Sequence, residues 1–175
     1  MYLFTALHTR RSVRAYTDQA VSSQEIHTLL DAAMIAPSAG NAQPWRFVVI
    51  DDPELLKKVP ALNQYAGMAP QAPVSILICG DPGAEKHKGF WVQDCSAAIQ
   101  NMLLAATGLG LGTVWTGIYP VEERVKGFRE LVGLPEDIIP LGLVVIGRPA
   151  KEMERISRFD AAKVYHNTWG KSKNF

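Results

Sequence analysis

Hydrophobic positions recur with two periods along this chain, one suited to helices and one to buried strands. Residues 22–36 place Ile26, Leu29, Leu30, Ala33 and Met34 on one stripe, with Ser22 and Glu25 at capping-box spacing. This predicts a helix, ended by Pro37. The polar stretch PSAGNAQPW, residues 37–45, follows as a loop. RFVVI at 46–50 predicts a buried strand, and Asp51-Asp52-Pro53 opens a second, shorter helix running to about Val59. APVSILIC at 72–79 is another buried strand, closed by a Gly-Asp-Pro-Gly turn. Residues 90–107 predict a long helix kept slim by Ala97, Ala98, Ala105 and Ala106. Val92, Ile99, Met102, Leu103 and Leu104 make it apolar over much of its circumference, so it belongs in the middle of a protein or against a partner. Gln93, Asp94, Gln100 and Asn101 interrupt it and exclude a membrane span. GLGLGTVWTGI then reads as cap, turn and strand, 120–132 as an amphipathic helix, and LGLVVI at 141–146 as the last strand. Arg124 and Arg129 on that amphipathic helix read as surface charges. Residues 151–175 mix charges with Phe159, Tyr165 and Trp169 and read as an arm that needs another surface to lie on. Strands alternating with helices predict an α/β or α+β sandwich with one shared core, without fixing strand order.

Composition narrows the function classes. The 175 residues suit one domain, and 47% hydrophobic with 20% charged content is that of a soluble globular protein. Lys and Arg number 18 against 17 acidic residues, which argues against a general nucleic-acid or membrane-surface binder. Cys79 and Cys95 lie in apolar sequence without CxxC spacing, so they read as buried free thiols in a reducing compartment. Neither a signal peptide nor a bilayer-spanning run is evident, and the expected location is the cytoplasm.

Several motifs fail on inspection. GLGLG at 108–112 has Thr113 where a dinucleotide fingerprint needs its third glycine, and a helix precedes it where a strand should, so it reads as a helix cap and tight turn. His8, His27, His87 and His166 are scattered, and no metal site is expected. Ser38 is not in a nucleophile elbow and has no nearby histidine to serve as its base.

What remains is an anion site with amides and aromatic walls. TRRSVRAYT, residues 9–17, crowds Arg10, Arg11 and Arg14 around Ser12. A solvated run of charge is one reading; a phosphate site is the sharper one, since each guanidinium is a rigid fork matched to phosphate oxygens. Pro37, Ser38, Asn41 and Gln43, the Trp115-Thr116-Gly117 strand end, and the late pair Arg155 and Arg158 complete a set suited to a large planar cofactor carrying a phosphate.

RRSVRAYTDQAVSSQEI, APSAGNAQPWRFVVI, WVQDCSAAIQNMLLAATGLGLGTVWTGIYP and LGLVVIGRPAKE, in that order over nearly the whole chain, resemble the FMN-dependent nitroreductase family. The resemblance implies an α+β, three-layer α/β/α sandwich with a mostly antiparallel sheet, a long central helix and a C-terminal arm exchanged between subunits. It implies a homodimer with FMN at the interface, using NADH or NADPH to reduce a small-molecule acceptor such as a nitroaromatic or quinone. Arg10, Arg11, Ser12 and Arg14 are then expected on the phosphate and ribityl chain, Arg14 reaching the N1/O2 side of the ring. Pro37, Ser38, Asn41 and Gln43 are expected beside the neighbouring subunit's flavin. Either Asn63 or Gln64 is expected at the pyrimidine edge, Trp115, Thr116 and Gly117 flanking the ring, and Arg158 or the weaker candidate Arg155 on the phosphate. Reductive dehalogenation, flavin breakdown, or flavin storage and sensing would share the same resemblance.

Overall fold

The computed structural model describes residues 3–173. A short helix, α1 (Leu3–Thr9), leads through an extended segment to α2 (Ser23–Met34). The sequence-predicted capping box is formed: the Glu25 N–H donates to Ser22 Oγ at 3.2 Å, and the Ser22 N–H donates to the Glu25 carboxylate at 2.9 Å. Arg148 adds a 2.7 Å ion pair to Glu25, tying the start of α2 to the end of the last strand.

Strand β1 (Trp45–Ile50) follows, and then the expected second helix, α3 (Pro53–Leu56), stops short of Val59, where a further helix not expected from the pattern begins, α4 (Val59–Leu62). Pro60 has no N–H for the Leu56 carbonyl and its ring would crowd that oxygen, so one helix cannot run through. Instead α3 closes with the Lys58 N–H on the Leu55 carbonyl, and Pro60 sits in the first turn of α4, where a missing donor costs nothing.

The remaining elements are β2 (Val74–Gly80), α5 (Trp91–Gly108), β3 (Gly112–Gly117), α6 (Glu122–Val132) and β4 (Ile139–Gly147). The sheet order is β1-β2-β4-β3, and every neighbouring pair is antiparallel. Alternation along β2 and β4 feeds two cores. Ile76, Ile78, Val144 and Ile146 pack under α2 and α5, whereas Leu77, Cys79, Leu143 and Val145 pack with Val59 and Phe128 beneath α4 and α6. The result is an α+β sandwich of three layers. β4 starts at Ile139, earlier than expected, because a bulge at Ile78/Cys79 accommodates Pro140, which has no donor for the ladder.

β3 is an edge strand, and the segment after α1 covers it. The Val13 N–H donates to the Thr113 carbonyl at 2.9 Å, and Tyr16 bridges to Pro149. This approach requires Gly112: a Cβ there would lie 2.7 Å from the Val13 side chain. GLGLG ends α5 as expected. Leu111 N–H returns to the Ala106 carbonyl and Gly110 N–H to Thr107, with Gly110 left-handed at φ +74°.

α5 takes the first of its two expected places, the middle of its own chain. Its large apolar residues Ile99, Met102 and Leu103 are buried within their own chain, and Gln93 and Gln100 take the open side. The exposed large apolar side chains lie largely elsewhere, with Leu3 and Phe4 on α1 and Phe159 and Trp169 on the arm. The arm begins beside α1, where the Ile156 N–H donates to the His8 carbonyl at 3.1 Å. Its last two residues, 174–175, lie outside the described residues, as do 1–2 at the start. Among the described residues no helix is long and apolar enough to cross a membrane.

Candidate cofactor site

The edge pairing with β3 extends the arginine segment, so its side chains alternate: Val13 is buried, while Ser12 and Arg14 face out. Arg10 and Arg11 approach Arg158 from the arm, and the three line one cavity of about 240 Å³. Arg10 and Arg11 also line a second cavity of about 380 Å³ under the Gly110–Gly112 turn, with Glu152 on its wall. Burial first, then the charges of Arg11 and Arg158, lower the Arg10 guanidinium below its ordinary pKa. Among the described residues no carboxylate is within ion-pair distance of Arg10, Arg11, Arg14 or Arg158. Arg11 has a further duty, donating to the carbonyls of His8 at 3.0 Å, Arg10 at 2.6 Å and Glu154 at 2.6 Å. It fastens the end of α1 to the arm. Arg155 is exposed and lines neither cavity, so the fold brings Arg158 to the cluster and leaves Arg155 out.

A third cavity, of about 440 Å³, brings Arg14 together with Gln64, Tyr65, Met68 and Gln71. The two neighbouring amides part company here. Gln64 is exposed at the cavity, whereas Asn63 is 1% exposed and spends its side chain internally. Its Nδ2 donates to the Gly117 carbonyl at 3.1 Å, and its Oδ1 accepts the Tyr65 N–H at 3.1 Å. Trp115 lies against Gly142, whose missing Cβ makes room for the indole, and Thr116 is buried with its hydroxyl toward the Leu143 carbonyl.

Arg124 and Arg129 are not plain surface charges. Arg124 donates to the same Gly117 carbonyl at 3.1 Å, and its guanidinium lies 5.3 Å from the centre of the Tyr65 ring. Arg129 donates to the carbonyls of Glu136 and Ile138. Helical periodicity places both on the polar face of α6 and carries no sign of these carbonyl partners, which lie outside the helix, at the end of β3 and in the segment after α6.

The 37–45 loop is held in an uncommon conformation: Gly40, Asn41 and Gln43 have φ of 60°, 54° and 51°. For Asn41 and Gln43 this region costs on the order of 1–3 kcal/mol each, which the surroundings must offset. Ser38 Oγ accepts the Gln43 N–H at 3.0 Å, Gln43 Nε2 donates to Asn41 Oδ1 at 3.1 Å, and Lys86 Nζ donates to the Gly40 carbonyl at 2.6 Å. Asp94, 5% exposed at the start of α5, accepts the Ala39 N–H at 3.0 Å. Its place in an apolar helix gave it no functional reading in the sequence. Pro37, Asn41 and Gln43 are exposed, and the loop lines none of the three cavities described above.

Fold and site together define an antiparallel α+β sandwich that gathers unpaired arginines along one sheet edge. The chain belongs to the nitroreductase family, whose model matches residues 7–64 and 60–148. A protein of Methanothermobacter thermautotrophicus, provisionally named NADH dehydrogenase/NAD(P)H nitroreductase, is 46% identical over 169 residues, covering 97% of this chain and 88% of that one. A crystal structure from Clostridium acetobutylicum, provisionally named NADH oxidase, matches with a TM-score of 0.91 at 40% identity, covering 94% of this chain and 99% of the other. A provisionally named nitroreductase from Desulfovibrio desulfuricans, solved in complex with FMN, matches with a TM-score of 0.81 at 32% identity, covering 95% and 97%.

Proposed function

We propose that this chain is an FMN-dependent NAD(P)H oxidoreductase: a single flavin-binding domain, working as a homodimer, that reduces a nitroaromatic, quinone or similar small acceptor. The observation that carries this reading is the Arg10–Arg158 cluster, partly buried, crowded by like charge and lacking a carboxylate. Such a cluster is stable when an anion joins it, and a phosphate offers oxygens for each fork. The likeness to a nitroreductase solved with FMN supports the same cofactor here.

FMN, when bound, supplies the two-electron chemistry that accepts hydride from a nicotinamide and delivers it to an acceptor. The chain supplies binding, orientation and charge. Arg10 and Arg158 would hold the phosphate and Ser12 the ribityl hydroxyls, while Arg11 keeps α1 and the arm in register. Arg14 and Gln64, sharing one cavity, are the residues suited to the pyrimidine edge, where a fixed cation favours negative charge on N1 and O2. Asn63 and Arg124 steady the Trp115–Gly117 strand end through one carbonyl. The exposed amides of the 37–45 loop, which line none of the arginine cavities described above, suit a flavin held by the second subunit.

Acid extraction of the purified yellow protein should release FMN, and anaerobic titration with NADH and NADPH should bleach its visible absorbance. Release of FAD alone would overturn the cofactor, and a flavin left oxidised by both nicotinamides would make the chain a flavin carrier.

A further inference from the structure

We infer that the outer part of the cavity beside Arg14 selects the electron acceptor, and that Arg124 makes it favour acceptors bearing an anionic group on a planar ring. This rests on the flavin reading above. Of the residues lining that cavity of about 440 Å³, Arg14 and Gln64 have a flavin role in that reading, while Tyr65, Gly67, Met68 and Gln71 have none. Their chemistry is specific. Tyr65 is 62% exposed and Met68 is 8% exposed, giving a broad aromatic face and an apolar thioether suited to a flat ring. Gln71 adds a carboxamide, and no carboxylate lines the cavity.

Arg124 adds a positive charge against the Tyr65 wall of that cavity. One of its N–H groups is spent on the Gly117 carbonyl, and the guanidinium is thereby fixed behind the Tyr65 ring, 5.3 Å from its centre. A guanidinium has five donors, so most remain available. The other cations of α6 are otherwise engaged: Lys126 approaches Glu130 at 4.0 Å, and Arg129 donates to two carbonyls. Of the acids at the start of α6, Glu122 lines a different cavity, beside Tyr119. Arg14 lines this cavity and Arg124 lies over its Tyr65 wall, and among the described residues neither has a carboxylate at ion-pair distance. A neutral ring is accommodated; a carboxylate on that ring gains Coulomb attraction from a cation fixed in advance.

The test compares 4-nitrobenzoate with 4-nitrobenzamide, which share ring and nitro group and differ in charge. Their intrinsic reactivities differ, so the quantity read is the change in their kcat/KM ratio between variants. Arg124→Gln should lower the benzoate-to-amide ratio by about fivefold, the size of a half-exposed charge pair. Arg124→Lys, which keeps the charge, should restore most of it, and Lys126→Gln should leave it alone. In the parent, added salt should lower the ratio by screening, an arm that needs no substitution. A ratio that neither Arg124→Gln nor salt moves overturns the inference, as does an equal loss on both acceptors, which is what a purely structural strap on Gly117 would give. Flavin content and bleaching by NADH are measured first on each protein. A parent without flavin overturns the flavin reading and the inference together, while normal bleaching with an unmoved ratio overturns the inference alone.

Discussion

Arg10 is half-buried beside two other guanidinium groups, and truncating it removes charged hydrogen bonds worth about 1.5–3 kcal/mol to a bound phosphate. Arg10→Ala and Arg158→Ala should each weaken FMN binding by roughly ten- to a hundredfold, read by fluorescence titration of the apoprotein. Arg155→Ala should bind FMN like the parent. Local sequence showed that Arg10, Arg11 and Arg14 stand together. It left Arg155 and Arg158 as alternatives, because the choice depends on how the arm meets α1 through His8 and Ile156, a contact with no local signature. Asn63 and Gln64 were likewise inseparable by sequence. Burial separates them, and Asn63→Ala should lower the melting temperature by unpairing the Tyr65 N–H and leaving the Gly117 carbonyl to Arg124 alone, at about 1–3 kcal/mol. At Cys79 and Cys95 burial pushes both thiols up to about 12. The native thiols therefore stay protonated where the unfolded chain ionises. Their contribution to stability is full below about pH 8.5 and is lost as pH rises from there toward the folded value. A thiol reagent at about pH 8 should find neither cysteine in the native protein and both after unfolding. The urea midpoint should fall less steeply above that pH in Cys79→Ala.

At the scale of elements, α2 shows the closest agreement between pattern and structure, since its stripe, cap and stop are all local features. Ser22→Ala should cost about 1 kcal/mol, seen as a lower urea midpoint at neutral pH. The Ser22 N–H, then its hydroxyl and Arg148, hold the Glu25 carboxyl below the usual carboxylate range against a smaller effect of burial. That stabilisation is present at neutral pH and is lost as pH falls through the carboxylate range, so Ser22→Ala should matter less in acid. Prolines account for the elements that local patterns misjudged. Pro60 keeps α3 and α4 from running together, and Pro140 conceals the start of β4, which a bulge at Leu141 opposite Ile78/Cys79 accommodates.

At the scale of the molecule, strand order was not legible, because antiparallel pairing of β2 with β4 joins segments that no short pattern links. The grounds for a dimer shift as well. α5 buries its apolar side within its own chain, and the large apolar side chains left exposed include Leu3, Phe4, Ile35, Phe159 and Trp169. Deleting the chain after Ile156 removes Arg158 together with Phe159 and Trp169, so dimerisation and flavin should be lost together. Analytical ultracentrifugation checks this: the full chain should sediment as a dimer, and a single 19.2 kDa species that keeps its flavin would overturn the shared site.

The meeting of Arg10 with Arg158 has a consequence for biosynthesis. Arg10 leaves the ribosome before any strand of the sheet, while Arg158 is made only after β4, when the whole sheet has been translated. A nascent chain can fold its sandwich and still lack a seat for the phosphate. On the proposed phosphate contact, flavin loading should be confined to chains translated past Arg158, and prematurely terminated products should be colourless.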